Sequence, residues 1–181
     1  MRLVLLPGLD GTGELFHPFL RVLPSRLTPQ VVSYPTEQYL TYKELVSLVL
    51  DVLPRKEPFV LLGESFSGPL SIEIAALSPP NLRAVILCAS FVSNPIPPSL
   101  TWVAWLPKPL LSLFGHLSVP DVLVRFFAAG VDSPQDLLDL FHCVKKKVSP
   151  RVLAERVRAV QEVDAREALK NCSFPILYLM A

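Results

Sequence analysis

The hexapeptide Gly63-Glu64-Ser65-Phe66-Ser67-Gly68 sets a serine between small residues, directly after the apolar run Phe59-Val60-Leu61-Leu62. A serine hydroxyl is a poor nucleophile until it is exposed, aimed and relieved of its proton by a base. A buried strand that turns sharply into a helix achieves the first two. The reversal brings the residues two before and two after the serine nearly into contact, so both must be small. Here they are Gly63 and Ser67; the usual pattern has glycine at both places, and Ser67 departs from it by one size step. Ser65 is therefore read as the nucleophile of acyl chemistry. The bland alternative is that Ser65 only caps a helix, a local role expected rather of Ser67.

Acyl chemistry also needs two amides aimed at one developing oxyanion. Phe66, the residue after the serine, supplies one, and the helix beginning there adds the positive end of its dipole. The other is expected from the loop after the first strand, Leu6-Pro7-Gly8-Leu9-Asp10-Gly11-Thr12-Gly13, and by position it is Leu9. Glycines at 8, 11 and 13 would let the backbone approach a substrate. A phosphate-cradling loop competes poorly, since no lysine–serine/threonine pair follows the last glycine. Asp10 is read first as an Asx-turn residue and second as a substrate contact.

Alternating elements must position these groups. Short apolar runs suited to buried parallel strands recur at Leu3–Leu6, Val31–Tyr34, Phe59–Leu62, Ala84–Ala89 and Pro175–Leu179. Helical spacing falls between the first four: Leu15 to Leu23, a capped helix after Thr41, and Ser67 to Leu77. Thr41-Tyr42-Lys43-Glu44 has the form of a capping box. Strand and helix thus alternate, which predicts a parallel sheet with ligands bound beyond the carboxyl ends of its strands. From about Pro95 to Asn171 the pattern is purely helical. Ser133-Pro134 and Ser149-Pro150 each read as an N-cap followed by proline at the first helical position. Ala154, Val157, Val160 and Val163 mark the expected face of the last long helix. The reading is residues 1–94 as sheet with the serine turn, 95–171 as a helical lid, and 172–181 as a returning strand. A separate helical domain is the alternative to a lid.

The 181 residues are 51% hydrophobic and 18% charged, with a formal net charge of +1. Extensive burial is expected, and no global field steers the protein to nucleic acid. Lys145-Lys146-Lys147 is read as a solvated helix end. Cys88, Cys143 and Cys172 are odd in number and widely spaced, which argues against a disulfide scaffold or a zinc site and fits a cytoplasmic location. The uncharged stretch from Ala84 to Pro107 contains Pro95, Pro97 and Pro98, so it is read as a strand and apolar loop rather than a membrane span.

The motifs Leu-Pro-Gly-Leu-Asp-Gly-Thr-Gly, Gly-Glu-Ser-Phe-Ser-Gly and Phe-Pro-Ile-Leu-Tyr-Leu-Met-Ala, in that order, resemble the α/β-hydrolase superfamily, and within it the lidded esterases and thioesterases. Pro7 stands where many members have histidine. The resemblance implies a mostly parallel sheet in the order 2-1-3-4-5, which would set the Leu9 loop beside Ser65. It also implies a triad in the order Ser, Asp or Glu, His. The acid is expected after the strand Pro175–Leu179 and the histidine after one further strand. The acid and histidine are thus assigned to no residue of this chain and expected after Ala181; the chain is read as C-terminally truncated, with little turnover by itself. The loop Phe91–Asn94 carries no carboxylate; His17 reads as a helix-surface or packing residue, and His116 and His142, in the lid, as pocket-lining or solvent-facing residues rather than the base. The implied activity is hydrolysis of a carboxylic ester or thioester through an acyl-serine, with no cofactor and no metal. Trp102, Trp105, Leu106, Leu110, Leu111, Phe114, Phe126 and Phe127 point to a small apolar or acyl-bearing ester as substrate, or simply to lid packing. A non-catalytic binding protein of the same fold, and an acyltransferase or lyase, stand as alternatives. Oligomeric state is left open.

Overall fold

A computed structural model describes residues 1–95 and 134–180. Five strands form one sheet: β1 (Arg2–Leu6), β2 (Thr28–Val31), β3 (Phe59–Glu64), β4 (Leu82–Cys88) and β5 (Ile176–Leu179). All four pairings are parallel and the spatial order is β2-β1-β3-β4-β5, the order that the resemblance implied. A 3-10 turn (Glu14–Phe16) runs into α1 (His17–Val22); α2 is Tyr42–Val52, α3 Ser67–Ala76, α4 Gln135–Lys145, α5 Pro150–Glu162 and α6 Arg166–Lys170.

The strands read as continuous apolar runs because helices cover both faces. Along β1, Val4 and Leu6 belong to the core shared with α2, α3 and α5, whereas Leu3 and Leu5 face Phe16 and Leu20 on the other side. Thr41 caps α2 as expected: its hydroxyl accepts from the Glu44 amide, and the Glu44 carboxylate accepts from the Thr41 amide.

Three expectations shift. The second strand lies at Thr28–Val31 rather than Val31–Tyr34. Val32 and Tyr34 are buried, which is what their apolarity reported. Their backbone, however, is leaving the ladder: the Tyr34 amide donates to the Gly11 carbonyl at 2.7 Å. As β2 is an edge strand, the missing amide of Pro29 costs no ladder bond on its open side. Pro134 precedes α4 as its N-cap instead of opening it. Most consequential, α5 buries Val152, Arg156 and Ala159, while Ala154, Val157 and Val160 are only half-buried and Val163 lies past its end.

After β4 the chain leaves the sheet at Val92–Asn94 and comes back at Val163–Ala165. These two stretches are bonded side by side: the Ala165 amide donates to Val92, the Asn94 amide to Val163, and Ser93 bridges Asp164 antiparallel. Among the described residues, no helix is long and apolar enough to cross a membrane. The expected lid residues Trp102 to Phe127, with His116 and Ser133, lie outside the described residues.

Candidate active site

Ser65 sits between the end of β3 and the start of α3, with a φ of +47°. A non-glycine residue in the left-handed region is uncommon, and it is what a sharp strand-to-helix reversal at a serine requires. Its backbone is held from both sides. The Ser65 amide donates to Cys88 at 2.9 Å, while its carbonyl accepts from the Gly68 amide at 3.1 Å and the Ser90 hydroxyl at 2.5 Å.

Ser67, the departure from glycine, is fully buried within the first turn of α3. It caps nothing; that expectation is corrected. Its hydroxyl donates to the Pro7 carbonyl and contacts the Tyr34 hydroxyl at 2.7 Å. A glycine here would leave that carbonyl and that phenol without their shared partner. The extra side chain thus fastens the loop after β1 to the serine turn. Burial holds the Tyr34 phenol above its ordinary value, so it remains a donor. Ser67→Ala should lower stability by about 1 to 2 kcal/mol, the cost of leaving buried polar groups unpaired, read as a shift of the urea midpoint at unchanged m-value.

The loop of Leu9 lies against this turn. Gly8 packs against the carboxylate of Glu64, next to Ser65 in sequence, so that a Cβ built on it would run into the carboxylate oxygens. Asp10 forms the expected Asx turn, accepting from the Thr12 amide at 2.8 Å and from the Thr12 hydroxyl at 2.5 Å. Phe66 is buried, stacks on Tyr42 with ring centroids 4.8 Å apart, and its carbonyl accepts from the Tyr42 hydroxyl. The structure therefore brings the Leu9 loop and the Ser65-Phe66 turn together, as the sheet order requires.

A cleft of ≈ 170 Å³ opens beside them, lined by Pro7, Asp10, Gly13, Glu64 and the apolar side chains Leu15, Phe16, Leu137 and Phe141. Ser65 is not among its lining residues; its neighbour Glu64 is. Burial, reinforced by the nearby Asp10 charge, pushes the Glu64 carboxyl up to about 7. His17 is exposed on α1, and neither it nor His142, whose ring meets Phe141 edge-on, lines the cleft. Among the described residues there is no group of three or more histidine, cysteine or acidic side chains that could hold a metal ion.

The sequence motifs do not single out three residues at this site: Tyr34, which falls at the end of an expected strand, Glu64 and Arg156. Arg156, 1% exposed, donates to the carbonyls of Leu9, Asp10 and Pro35. Its signal was available: Val152, Arg156 and Ala159 follow at helical spacing, a charge set inside an apolar stripe.

No family model matches the chain. A curated relative, phytyl ester synthase 1 (chloroplastic) of Arabidopsis thaliana, is 29% identical over an alignment 147 residues long that covers 72% of this chain and 20% of the relative. The chain thus spans about a fifth of the length of that plant protein. Among solved structures, it superposes on a lipase-esterase related protein from Clostridium acetobutylicum with a TM-score of 0.75 at 14% identity, covering 98% of this chain and 72% of that one. An enol-lactonase from Burkholderia xenovorans gives 0.73 at 17% identity, with 98% and 71% covered. MenH from S. aureus gives 0.69 at 15%, with 98% and 74% covered. At such identities the likeness speaks for the fold, and the fold this chain shares with them is that of the α/β-hydrolases.

Proposed function

We propose that the chain carries the nucleophile and oxyanion part of a serine hydrolase acting on a carboxylic ester or thioester. The Ser65 hydroxyl oxygen attacks the carbonyl carbon and its proton passes to a base. The amides of Leu9 and Phe66 stabilise the tetrahedral oxyanion, whose collapse expels the alcohol or thiol with a proton and leaves acyl-Ser65. Water then adds to the acyl carbon, the bond to the serine oxygen breaks, and the carboxylic acid leaves as the serine regains its proton. The observation that carries this reading is the left-handed backbone at Ser65 between β3 and α3, with the Leu9 loop fastened to the same turn through Ser67. Hydrolytic names among the solved structures, an enol-lactonase and a lipase-esterase related protein, support it. The apolar lining from Leu15, Phe16, Leu137 and Phe141 supports an acyl or otherwise apolar substrate. The paired exit and return at Val92–Asn94 and Val163–Ala165 support an insertion in the sheet domain that closes before α6, short of the expected bound at Asn171.

The test is covalent. A fluorophosphonate, which phosphonylates serine nucleophiles and expels fluoride, should modify this chain at Ser65, located by peptide mass, slowly because neither His17 nor His142 lines the cleft to act as base, and should leave Ser65→Ala unmodified over the same hours-long incubation. Equal modification of both proteins, or modification placed on Ser67 or Ser90, sinks the assignment.

A second reading is favoured by one observation, the plant relative's name, which denotes an enzyme that makes phytyl esters. In that reading the acyl-Ser65 is discharged by an alcohol instead of water. Product analysis with a p-nitrophenyl ester, in water alone and with a long-chain alcohol added, separates the two: free acid in both supports hydrolysis, and a new ester supports transfer.

A further inference from the structure

Arg156 brings a full charge into the interior, and removing a guanidinium from water costs several kcal/mol unless every donor is well met. Here carbonyl dipoles meet it. Nη1 donates to the Leu9 carbonyl at 2.9 Å and the Asp10 carbonyl at 2.7 Å; Nη2 donates to the Pro35 carbonyl at 2.9 Å. The guanidinium carbon lies 5.8 Å from the centre of the Tyr34 ring, within cation–π range. Nε is buried with no hydrogen-bond partner among the described residues. A group meant only to glue α5 to the sheet could be apolar, with no donor left over. The loop is also shaped to this arginine. A Cβ built on Gly11, where φ is +72°, would lie 2.5 to 2.8 Å from the guanidinium atoms.

The peptide planes show what the arrangement accomplishes. The plane joining Pro7 to Gly8 is held through its carbonyl by the Ser67 hydroxyl, and the Glu64 carboxylate packs against Gly8. The planes joining Leu9 to Asp10 and Asp10 to Gly11 are held through their carbonyls by Arg156, and the Gly11 amide also closes a turn onto Gly8 at 3.0 Å. Between them lies the peptide of Gly8 and Leu9, which bears the Leu9 N–H. With both neighbours fixed, that plane has little freedom to turn. A donor fixed before the reaction begins is what makes an oxyanion site effective.

We propose that Arg156 is a positioning residue, which aims the Leu9 amide at the oxyanion formed on attack by Ser65 and links the competence of that site to the seating of helix α5. This rests on the reading of Ser65 and Leu9 given above. Arg156 touches no reacting atom. Its effect belongs on the rate of the covalent step, with substrate binding left alone.

The experiment follows fluorophosphonate modification of Ser65 over a range of probe concentrations, which separates the maximal rate from the half-saturating concentration. In Arg156→Met, which keeps the length of the stem, the maximal rate should fall by about 10- to 100-fold, less than or near the loss from deleting one oxyanion donor. Half-saturation should stay within about twofold. Arg156→Lys restores the charge but not the planar fork, so it should recover only part of the rate. If the methionine variant does not fold, the lysine variant alone decides, its folded state checked by thermal melting. An unchanged maximal rate in a folded variant, or a loss confined to half-saturation, overturns the positioning role while the Ser65 assignment stands. Failure of the wild-type chain to be modified at Ser65 overturns both.

Discussion

Gly63→Ala should destabilise the protein by about 3 kcal/mol or more, far above the usual cost of one added methyl group. Gly63 lies in the middle of the sheet, paired with Leu6 of β1 on one side and Leu87 of β4 on the other. A Cβ there would lie 2.5 Å from the Ser67 carbonyl oxygen and 2.9 Å from its carbon, and closer still to the Ser71 hydroxyl. Two of those three atoms are backbone, so no rotamer change relieves the overlap. Moving α3 away would pull the Ser67 hydroxyl from the Pro7 carbonyl and from Tyr34. Moving β3 would break a ladder on both sides. Gly8→Ala is the control, because its new Cβ would meet only the far end of the Glu64 side chain, which can swing aside. In a chain of this length the Gly63 loss corresponds to a melting temperature lower by roughly 6 to 12 °C. A melt within about 2 °C of wild type would show that the turn gives way, and that the tight strand–helix contact is not what the serine depends on.

The contrast between Gly63 and Arg156 also marks how far the sequence alone could reach. Gly63 was legible because its demand is local: a strand, a turn and a helix within ten residues leave no room for a side chain. The same holds for Thr41 with Glu44, and for Asp10 with Thr12, whose partners lie two or three residues away. Strand order was legible through three motifs in a fixed sequence rather than through any one of them. Where partners are distant, the signal faded. Arg156 meets carbonyls more than a hundred residues earlier, and a backbone carbonyl looks the same whatever residue bears it. The apolar stripe Ala154, Val157 and Val160 therefore looked like the buried face, although the loop carbonyls had turned the arginine inward instead. Ser67 was legible as a departure from glycine but not in its use, because Pro7 and Tyr34 reach it from two other elements. The second strand was misplaced for a related reason: Val32 and Tyr34 are buried by what packs on them, while the ladder is set by the backbone at Thr28–Val31.

Glu64→Gln should stabilise the protein at alkaline pH and do little in mild acid. Burial in the cleft, with the Asp10 charge alongside, raises the Glu64 carboxyl from an ordinary value of 4.5 to about 7, against the opposing pull of the Gly8 amide. Between those two values the folded protein holds a proton that the unfolded chain has released. By linkage, stability then falls as pH rises, because the unfolded state binds fewer protons. The contribution is intact below about pH 4.5, declines through pH 7 and is gone above it. Glutamine keeps the shape but carries no charge to be desolvated. The variant should therefore lie within about 1 kcal/mol of wild type near pH 5 and exceed it by about 3 kcal/mol at pH 8, the size set by the shift between the two values. Urea melts of both proteins at pH 5, 6, 7 and 8 read this directly. A difference independent of pH would mean that Glu64 is well solvated, and that the cleft is wetter than its apolar lining of Leu15, Phe16, Leu137 and Phe141 implies. A difference that opens between about pH 5 and 7 places a carboxyl that changes charge near neutrality one residue from Ser65. Binding of an acyl substrate that carries a negative charge would then weaken as pH rises through about 7, by charge repulsion, and Glu64→Gln would remove that dependence.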